Sequence, residues 1–328
     1  MKSPFTGGEV KLLSEIRKAI FRKEEYEYTY LCYQCVDTKE IFTTTQLDTA
    51  NTAQIYNQYR EAHSIPFPDE INEIRSHYGL SALKMSKILG FGDNQYRLYE
   101  NGEMPSVANG RVLKAIQSPQ TFSTFVEAAK NVLSEDEYTK VKQKLTESID
   151  QESYDTFMAN LIYSRCKRDK YNGFALQSMS KLKNTILFFI EKYNGVYVTM
   201  MNKLLFYADF LSYRETGQAI TGLSFKAIQH GPVPERWDRV YSLIDDIHQI
   251  EVENKNGNIG TKLVSKIPYD HLSLTQEQQN ILETVYNTFK NDTPTSISNK
   301  SHEETAWQDN NKTYSLINFD YAFSLKAI

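Results

Sequence analysis

The stretch of sequence that says most about the fold is LSALKMSKILGFGDNQYRLYENGEMP, residues 80–105. Ser81 is a typical N-cap for a helix that ends at Gly90. A second helix follows the glycine turn, with Tyr96 and Tyr99 on its inward face, because side chains three residues apart share one side of a helix. The stretch therefore predicts two short helices joined by a tight turn.

Helical patterns continue on both sides of this stretch. Before it, Ile71 and Tyr78 share one face of a helix that Gly79 ends. After it, Ser106 can cap a fourth helix. Four helices with turns of three or four residues predict a compact unit at residues 67–118.

The turn between the two central helices has the residues that a helix-turn-helix requires. Such a unit needs a small residue where its helices cross, a glycine at the turn and apolar residues that lock the second helix. Ser86, Gly90 and the two tyrosines fill these places, and the stretch resembles the helix-turn-helix of the Xre/Cro class. The resemblance implies that operator DNA is a partner. The candidate DNA-binding residues are Asn94, Gln95, Arg97, Leu98, Lys84 and Asp93.

Asn94 is the first choice for a residue that reads a base, because asparagine can form two hydrogen bonds with adenine. The class often has polar residues where this chain has Ala82 and Leu98, although a leucine can contact a thymine methyl group. The unit contains 6 basic and 6 acidic residues, so one copy neutralises few phosphates. We therefore expect a homodimer on a two-fold operator site.

Residues 1–66 are predicted to form a small β-rich module, because tyrosines alternate with other residues in Tyr26-Glu-Tyr-Thr-Tyr30. Ser3, Thr6, Cys32 and Cys35 are spaced as two knuckles, and the segment resembles the zinc-ribbon start of MqsA-type antitoxins. Structural zinc takes four thiolate or imidazole ligands, and the first knuckle here has hydroxyls. We expect a degenerate ribbon without metal or other cofactor; the alternative is zinc retained by Cys32 and Cys35.

The cysteine count, the net charge and the lengths of the apolar runs limit the class of protein to which the chain can belong. Three cysteines, a net charge of −4 and no run of 18 apolar residues predict a cytoplasmic protein that does not bind a membrane. No secretory signal is visible at the N-terminus. Residues 119–172 are predicted to be a helical connector that contributes to dimerisation, with Cys166 as a small buried residue.

Residues 173–328 carry long helical patterns, with a hairpin candidate at residues 254–258. Five motifs follow one another in this part: Lys203-Leu-Leu-Phe-Tyr207-Ala-Asp209, Ile220-Thr221-Gly222, Phe225-Lys-Ala227, His230-Gly-Pro-Val-Pro234 and His302-Glu-Glu-Thr-Ala-Trp307. Together they resemble the Panacea or SocA-like antitoxin domain. The resemblance implies a cognate protein toxin as partner. The candidate toxin-binding residues are Tyr207, Phe225, His230, Trp237 and Trp307.

The whole chain is thus expected to be mainly α with small β elements. Its predicted parts are a degenerate β-ribbon module, a helix-turn-helix domain, a helical connector and an α-rich C-terminal domain with a small hairpin. The expected function is that of an antitoxin that neutralises a toxin through residues 173–328 and represses its own operon. The alternatives are a DNA-independent adaptor or inhibitor, and a plain transcriptional regulator.

An enzyme is a further class to weigh. His230 and Asp209 are candidates for an acid–base pair, and general acid–base catalysis needs such a pair. The sequence has no nucleophile elbow, no H-E-x-x-H motif, no phosphate-binding glycine loop and no dinucleotide fingerprint. We therefore expect no enzymatic activity and no catalytic residue.

Overall fold

A computed structural model describes residues 1–165, 167–253, 257 and 259–328, and it leaves the side chains of residues 149–158 undescribed. The prediction for Cys166 and the turn of the predicted hairpin at residues 254–256 and 258 lie outside this part. The chain forms two compact units, Met1–Ile55 with Ala159–Ile328, and Tyr56–Met158. About half of the chain is helical and the described sheets are small and antiparallel, which confirms the predicted class of mainly α with small β elements.

The first part of the chain contains the strands β1 (Val10–Phe21), β2 (Glu24–Cys35) and β3 (Ile41–Phe42), followed by seven helices. These helices are α1 (Thr45–His63), α2 (Pro68–Tyr78), α3 (Ala82–Ile88), α4 (Gln95–Glu100), α5 (Val107–Ala115), α6 (Pro119–Ala128) and α7 (Glu135–Ile162), with a 3-10 turn at Lys130–Val132. The unit boundaries fall inside α1 and α7.

The later elements are α8 (Met179–Tyr193), β4 (Val196–Tyr197), α9 (Val198–Thr216), β5 (Phe225–Ile228), β6 (Gly231–Pro234), α10 (Trp237–Ser242), β7 (His248–Glu253), β8 (Ile259–Val264), α11 (Gln276–Phe289), α12 (Pro294–Glu303) and α13 (Thr305–Gln308). Short 3-10 turns lie at His271–Ser273 and Phe319–Ser324. No helix in the described ranges is both long enough and apolar enough to cross a membrane.

The N-terminal sheet has the strand order β1-β2-β3. β1 and β2 pair without interruption from Val10↔Cys35 to Phe21↔Glu24. The predicted strand at the tyrosine-rich stretch is confirmed as part of β2, whereas β1 was not predicted. Its apolar residues Leu13, Ile16 and Ile20 are also spaced as on a helix, so pairing with β2, rather than local periodicity, determines its conformation.

Helix α1 closes the free edge of β2 with side-chain amides. β3 pairs with β2 only at Tyr33 and Gln34. Beyond that point Asn51 accepts a hydrogen bond from the N–H of Leu31 at 2.8 Å and donates one to its carbonyl at 2.9 Å. Gln54 forms the same pair of bonds with Thr29, at 2.9 and 2.8 Å. These four bonds fix α1 against the sheet and satisfy backbone groups that would otherwise be unpaired.

In the unit Tyr56–Met158, helices α2 to α7 share one apolar core. Gly79 ends α2 with a φ of 64°, a left-handed conformation that favours glycine. The Ser81 hydroxyl accepts a hydrogen bond from the N–H of Lys84 and so caps α3, as predicted. Ser106 caps α5 in the same way. The short helices at residues 67–118 are therefore present with the predicted caps.

In the C-terminal part, α9 is the central helix, and every residue from Met200 to Tyr213 is buried. Helices α8, α11 and α12 pack around it, together with the two-stranded sheet β5-β6. A second sheet has the order β4-β8-β7. β7 and β8 are the two strands of the predicted hairpin and pair from His248↔Val264 to Glu253↔Ile259.

Candidate interaction surfaces

The crossing of α3 and α4 is held by buried polar contacts. The backbone N–H of Tyr96 donates a hydrogen bond to the Ser86 hydroxyl at 3.0 Å, and the Tyr96 hydroxyl donates to the carbonyl of Ile71 at 2.7 Å. Ser86 and Tyr96 are both fully buried. Burial raises the pKa of Tyr96 far above its ordinary value, so its hydroxyl stays a donor. The small residue predicted at the crossing thus also binds the first turn of α4.

The opposite side of α4 faces solvent. Asp93, Asn94, Arg97 and Leu98 are exposed, and Gln95 is half-buried. Arg97 Nη2 lies 3.5 Å from Asn94 Oδ1, at the limit for a hydrogen bond. Gln95 Nε2 donates to a Glu103 carboxylate oxygen at 3.2 Å. The structure therefore brings five of the six predicted DNA-binding residues together around α4.

Lys84 differs from the other five residues, because its amine already has partners. Its Nζ donates to the carbonyl of Val132 at 2.9 Å and forms an ion pair with Glu137 at 3.0 Å. A backbone hydrogen bond from Ser134 and the bond from Lys84 lower the pKa of Glu137 to about 2. Lys84 thus holds α3 against the start of α7, and it would have to leave these contacts to bind a phosphate.

Of the four residues that were predicted to form two knuckles, Ser3, Thr6 and Cys35 lie close together. Ser3 is buried, and Thr6 Oγ1 lies 3.5 Å from Cys35 Sγ. Hydrogen bonds from Ser3, Thr38 and Thr6 lower the pKa of the Cys35 thiol to about 6. The hydroxyls of Ser3 and Thr6 thus lie beside Cys35, the second of the two cysteines.

The two cysteines do not form a knuckle. β2 runs without a bulge through Cys32 and Cys35, so side chains three residues apart point to opposite faces of the strand. Burial raises the pKa of Cys32, in contrast to Cys35. Both are free thiols, and no cluster of three or more His, Cys, Asp or Glu that fits a metal lies among the described residues. The donor set therefore does not fit a structural zinc ion.

Asp209 connects α9 to the turn that precedes β5. It is fully buried, and its Oδ1 accepts hydrogen bonds from the N–H groups of Ile220 and Thr221, both at 2.9 Å. Its Oδ2 accepts one from the Thr221 hydroxyl. Burial raises the pKa of Asp209 to about 6 against the effect of these bonds. Both carboxylate oxygens are occupied by the turn, so Asp209 has a structural role.

Lys203 lies under the start of β6. It has no exposed surface, and its Nζ has no hydrogen-bond partner among the described residues. Desolvation lowers the pKa of this amine to about 7. A Cβ at Gly231 would lie 2.6 Å from Lys203 Cε and 2.5 Å from Ser301 Oγ. Only glycine therefore fits at position 231, which also has a φ of 100°.

The last motif closes the domain around α9. The carboxylate of Glu304 is 1% exposed and accepts a hydrogen bond from the Tyr207 hydroxyl at 3.2 Å. Trp307 Nε1 donates to the carbonyl of Ile228 at 2.7 Å, and the His302 ring stacks on Trp307 with centroids 4.1 Å apart. The sequence motifs of this part are thus contacts inside the domain. Lys203 and Glu304 lie within two of the sequence motifs, but nothing in the sequence pattern marks them as buried polar residues.

Residues 201–308 match the family model described as antitoxin SocA-like, Panacea domain. The match covers 108 of the 328 residues and contains all five C-terminal motifs. It supports the Panacea domain predicted for the C-terminal part. Searches of curated proteins and of solved structures gave no significant match.

The five predicted toxin-binding residues of the Panacea domain differ in exposure. Tyr207 and Phe225 are fully buried, so the structure corrects their assignment: neither can contact a partner, and both pack in the core. Trp307 is half-buried and bound to Ile228 through its ring nitrogen. His230 is exposed, and Trp237 is 41% exposed at the start of α10. The surface candidates are therefore His230 and Trp237, with the half-buried Trp307.

Proposed function

We propose that the chain is a cytoplasmic antitoxin whose Panacea domain binds and neutralises a cognate protein toxin. The observation that carries the proposal is the match of residues 201–308 to the SocA-like antitoxin family. The internal contacts of Asp209 and Glu304 support it, because these residues stabilise the domain from inside and leave its exposed residues available for a partner. Neutralisation would then be a binding function and would require no catalytic group.

We further propose that the helices α3 and α4 bind operator DNA and repress the operon of the chain, as a homodimer. Asn94 and Arg97 support this role, because both are exposed at the beginning of α4 while Tyr96 holds the helix from behind. Asparagine and arginine are the side chains that read adenine and guanine in the major groove. Equal numbers of acidic and basic residues at 67–118 make two copies necessary for useful affinity.

A second candidate function for this unit is a protein contact without DNA, as in an adaptor or inhibitor. Leu83 is 45% exposed and Leu98 is 38% exposed, on the two adjacent helices α3 and α4. Exposed apolar surface on neighbouring helices is typical of a protein contact and contributes little to phosphate binding. Binding to DNA from the chain's own promoter separates the two candidates, because operator binding is sequence-specific and falls steeply with salt. If that binding occurs without any effect on a toxin, the chain is a plain transcriptional regulator.

The antitoxin proposal is tested by expressing the chain with the small open reading frame next to it in its genome. Growth is measured with each gene alone and with both together, and the two proteins are then purified as a complex. We expect the neighbour alone to arrest growth and the chain to restore it. The full-length variant Trp237→Ala, which changes an exposed tryptophan of the Panacea domain, should restore growth less well than the parent. A harmless neighbour would contradict the proposal.

A further inference from the structure

The outer edge of β1 has a long run of open backbone groups. β1 is the first strand in the order β1-β2-β3, and no described strand pairs with its outer side. The N–H of Val36 donates to the carbonyl of Glu9 at 3.0 Å, which continues the register of β1 and β2 by one residue. Along an antiparallel pair of strands, residue pairs that are hydrogen-bonded to each other alternate with pairs that are not. The odd-numbered residues of β1 therefore bond to β2, and the even-numbered residues direct their backbone groups outward.

Three large apolar side chains lie on one face of this open strand. Leu12 is 40% exposed, Ile16 is 71% exposed and Ile20 is 79% exposed. All three are even-numbered, so they share one face and belong to the residues whose backbone groups are open. A long strand edge with exposed apolar residues is a template for pairing with another strand.

We propose that β1 pairs antiparallel with β1 of a second copy of this chain, around a two-fold axis at Ile16. In this register Ile16 lies opposite its own counterpart, and Leu12 lies opposite Ile20 of the other copy. Even-numbered residues meet even-numbered residues, as the open backbone groups require. The two three-stranded sheets then form one sheet of six strands.

The charges on the other face select this register. Glu15 and Arg17 form an ion pair along β1, and the Arg17 guanidinium lies 3.5 Å from the centroid of the Tyr30 ring. With the axis at Ile16, Glu15 of each copy lies opposite Arg17 of the other, so four charges alternate in sign. An axis at residue 15 would oppose two glutamates and an axis at residue 17 two arginines, and like charges directly opposite are unfavourable.

The same pattern favours a second copy over an unrelated strand. β1 is complementary to itself after a two-fold rotation. Ile16 lies at the centre, Leu12 and Ile20 lie four positions away on either side, and Glu15 and Arg17 carry opposite charges next to the centre. The inference deepens the proposed homodimer by naming its interface, and the observations that carry it lie in β1 and not in the Panacea domain. Loss of dimerisation and loss of toxin binding are measured separately.

The oligomeric state of the full chain tests the inference, by light scattering after size exclusion and by sedimentation over a range of concentrations. We expect a dimer that Glu15→Arg or Arg17→Glu alone weakens about tenfold or more, because each change opposes like charges at two places. The double variant Glu15→Arg with Arg17→Glu should restore the dimer. A mixture of the two single variants should form a heterodimer, since every opposed pair then has opposite charges.

A cysteine at the axis gives an independent measurement of register. Ile16→Cys should form a disulfide-linked dimer under mild oxidation. The Cα atoms of a hydrogen-bonded pair on antiparallel strands lie about 5.5 Å apart, which is within the range that a disulfide spans. Ser14→Cys is the matched control, since it lies opposite Lys18 and not opposite itself, and the parent chain controls for native cysteines. Circular dichroism shows that each variant folds. A monomer at all concentrations, or a dimer that neither charge reversal weakens, would overturn the inference.

Discussion

The hydroxyl of Tyr207 on α9 donates a hydrogen bond of 3.2 Å to Glu304, which lies between α12 and α13. The same carboxylate accepts the backbone N–H groups of Lys326 at 2.9 Å and Ala327 at 3.0 Å. One buried side chain therefore connects the central helix of the Panacea domain to the last residues of the described chain. This contact explains why a glutamate occurs in an otherwise apolar environment.

Replacing Glu304 by Ala should lower the free energy of unfolding by about 3 kcal/mol, because three donors lose their acceptor, and buried unpaired donors cost about 1 to 3 kcal/mol each. Urea unfolding followed by circular dichroism measures the change. Glu303→Ala is the matched control, because this neighbouring carboxylate is exposed. Equal stability of the Glu304→Ala variant and the parent would contradict the assigned role.

Local signals in the sequence predicted the short helices well. Gly79, Ser81 and Ser106 act over one turn of chain, so the residues that end or cap these helices can be read directly. The strand β1 could not be predicted in this way. Its apolar spacing also fits a helix, and only pairing with β2 determines that it is a strand. The same holds for Asn51 and Gln54, whose partners lie 20 and 25 residues away.

The candidate sites were predictable to different extents. A patch around Asn94 and Arg97 follows from helical periodicity, because Tyr96 takes the inward position. The exposure of aromatic residues does not follow from sequence, since Phe225 is in the core while Trp237 is at the surface. The burial of Lys203 was not predictable either, because a lysine in a helical pattern is ordinarily solvated.

The buried amine of Lys203 should make stability depend on pH. Its pKa is lowered from 10.5 to about 7 in the folded chain, so the unfolded chain binds more protons between these values. Stability should therefore rise as the pH rises from about 7 towards 10. Lys203→Met removes this dependence and should stabilise the chain by about 3 kcal/mol at pH 7, because an unpaired buried cation is replaced by an apolar side chain.

Urea unfolding of parent and Lys203→Met chains at several pH values measures this effect. Lys290→Met is the control, because Lys290 is exposed at the end of α11 and should leave the pH dependence unchanged. The contribution of Lys203 is the difference in free energy of unfolding between the parent and Lys203→Met. If this difference is the same at neutral and alkaline pH, the amine is solvated or paired.

The side-chain amide of Asn51 should protect the edge of β2 from exchange with solvent. Asn51→Ala leaves the N–H and carbonyl of Leu31 without partners and should cost about 2 kcal/mol. Hydrogen exchange measured by mass spectrometry should show faster exchange at residues 29–31. Thr52→Ala is the control on the same helix, because Thr52 is exposed. Unchanged exchange at the Leu31 amide would mean that the edge is protected by other contacts.

The proposed operator contact of Asn94 should be visible in DNA affinity. Asn94→Ala should lose about 1 to 3 kcal/mol of specific binding and leave toxin binding intact, because one bidentate base contact disappears. Fluorescence anisotropy with DNA from the chain's own promoter, at several salt concentrations, measures both affinity and its salt dependence. Asn101→Ala is the matched control, because Asn101 is exposed at the other end of α4. Equal operator affinity for Asn94→Ala and the control would remove Asn94 as the residue that reads a base.

Trp237 is the strongest candidate for a contact with the toxin, because it is a large aromatic side chain that is 41% exposed. Exposed tryptophans often contribute 2 kcal/mol or more to an interface, so Trp237→Ala should weaken the complex with the toxin at least about tenfold. Isothermal titration calorimetry with the purified toxin measures the affinity, and thermal unfolding checks that the fold is intact. Leu272→Ala controls for the loss of exposed apolar surface, since Leu272 is 82% exposed. Trp307→Phe should instead lower the unfolding temperature, because it removes the hydrogen bond to Ile228. If Trp237→Ala and Leu272→Ala bind the toxin as tightly as the parent, the toxin contacts a different face of the Panacea domain.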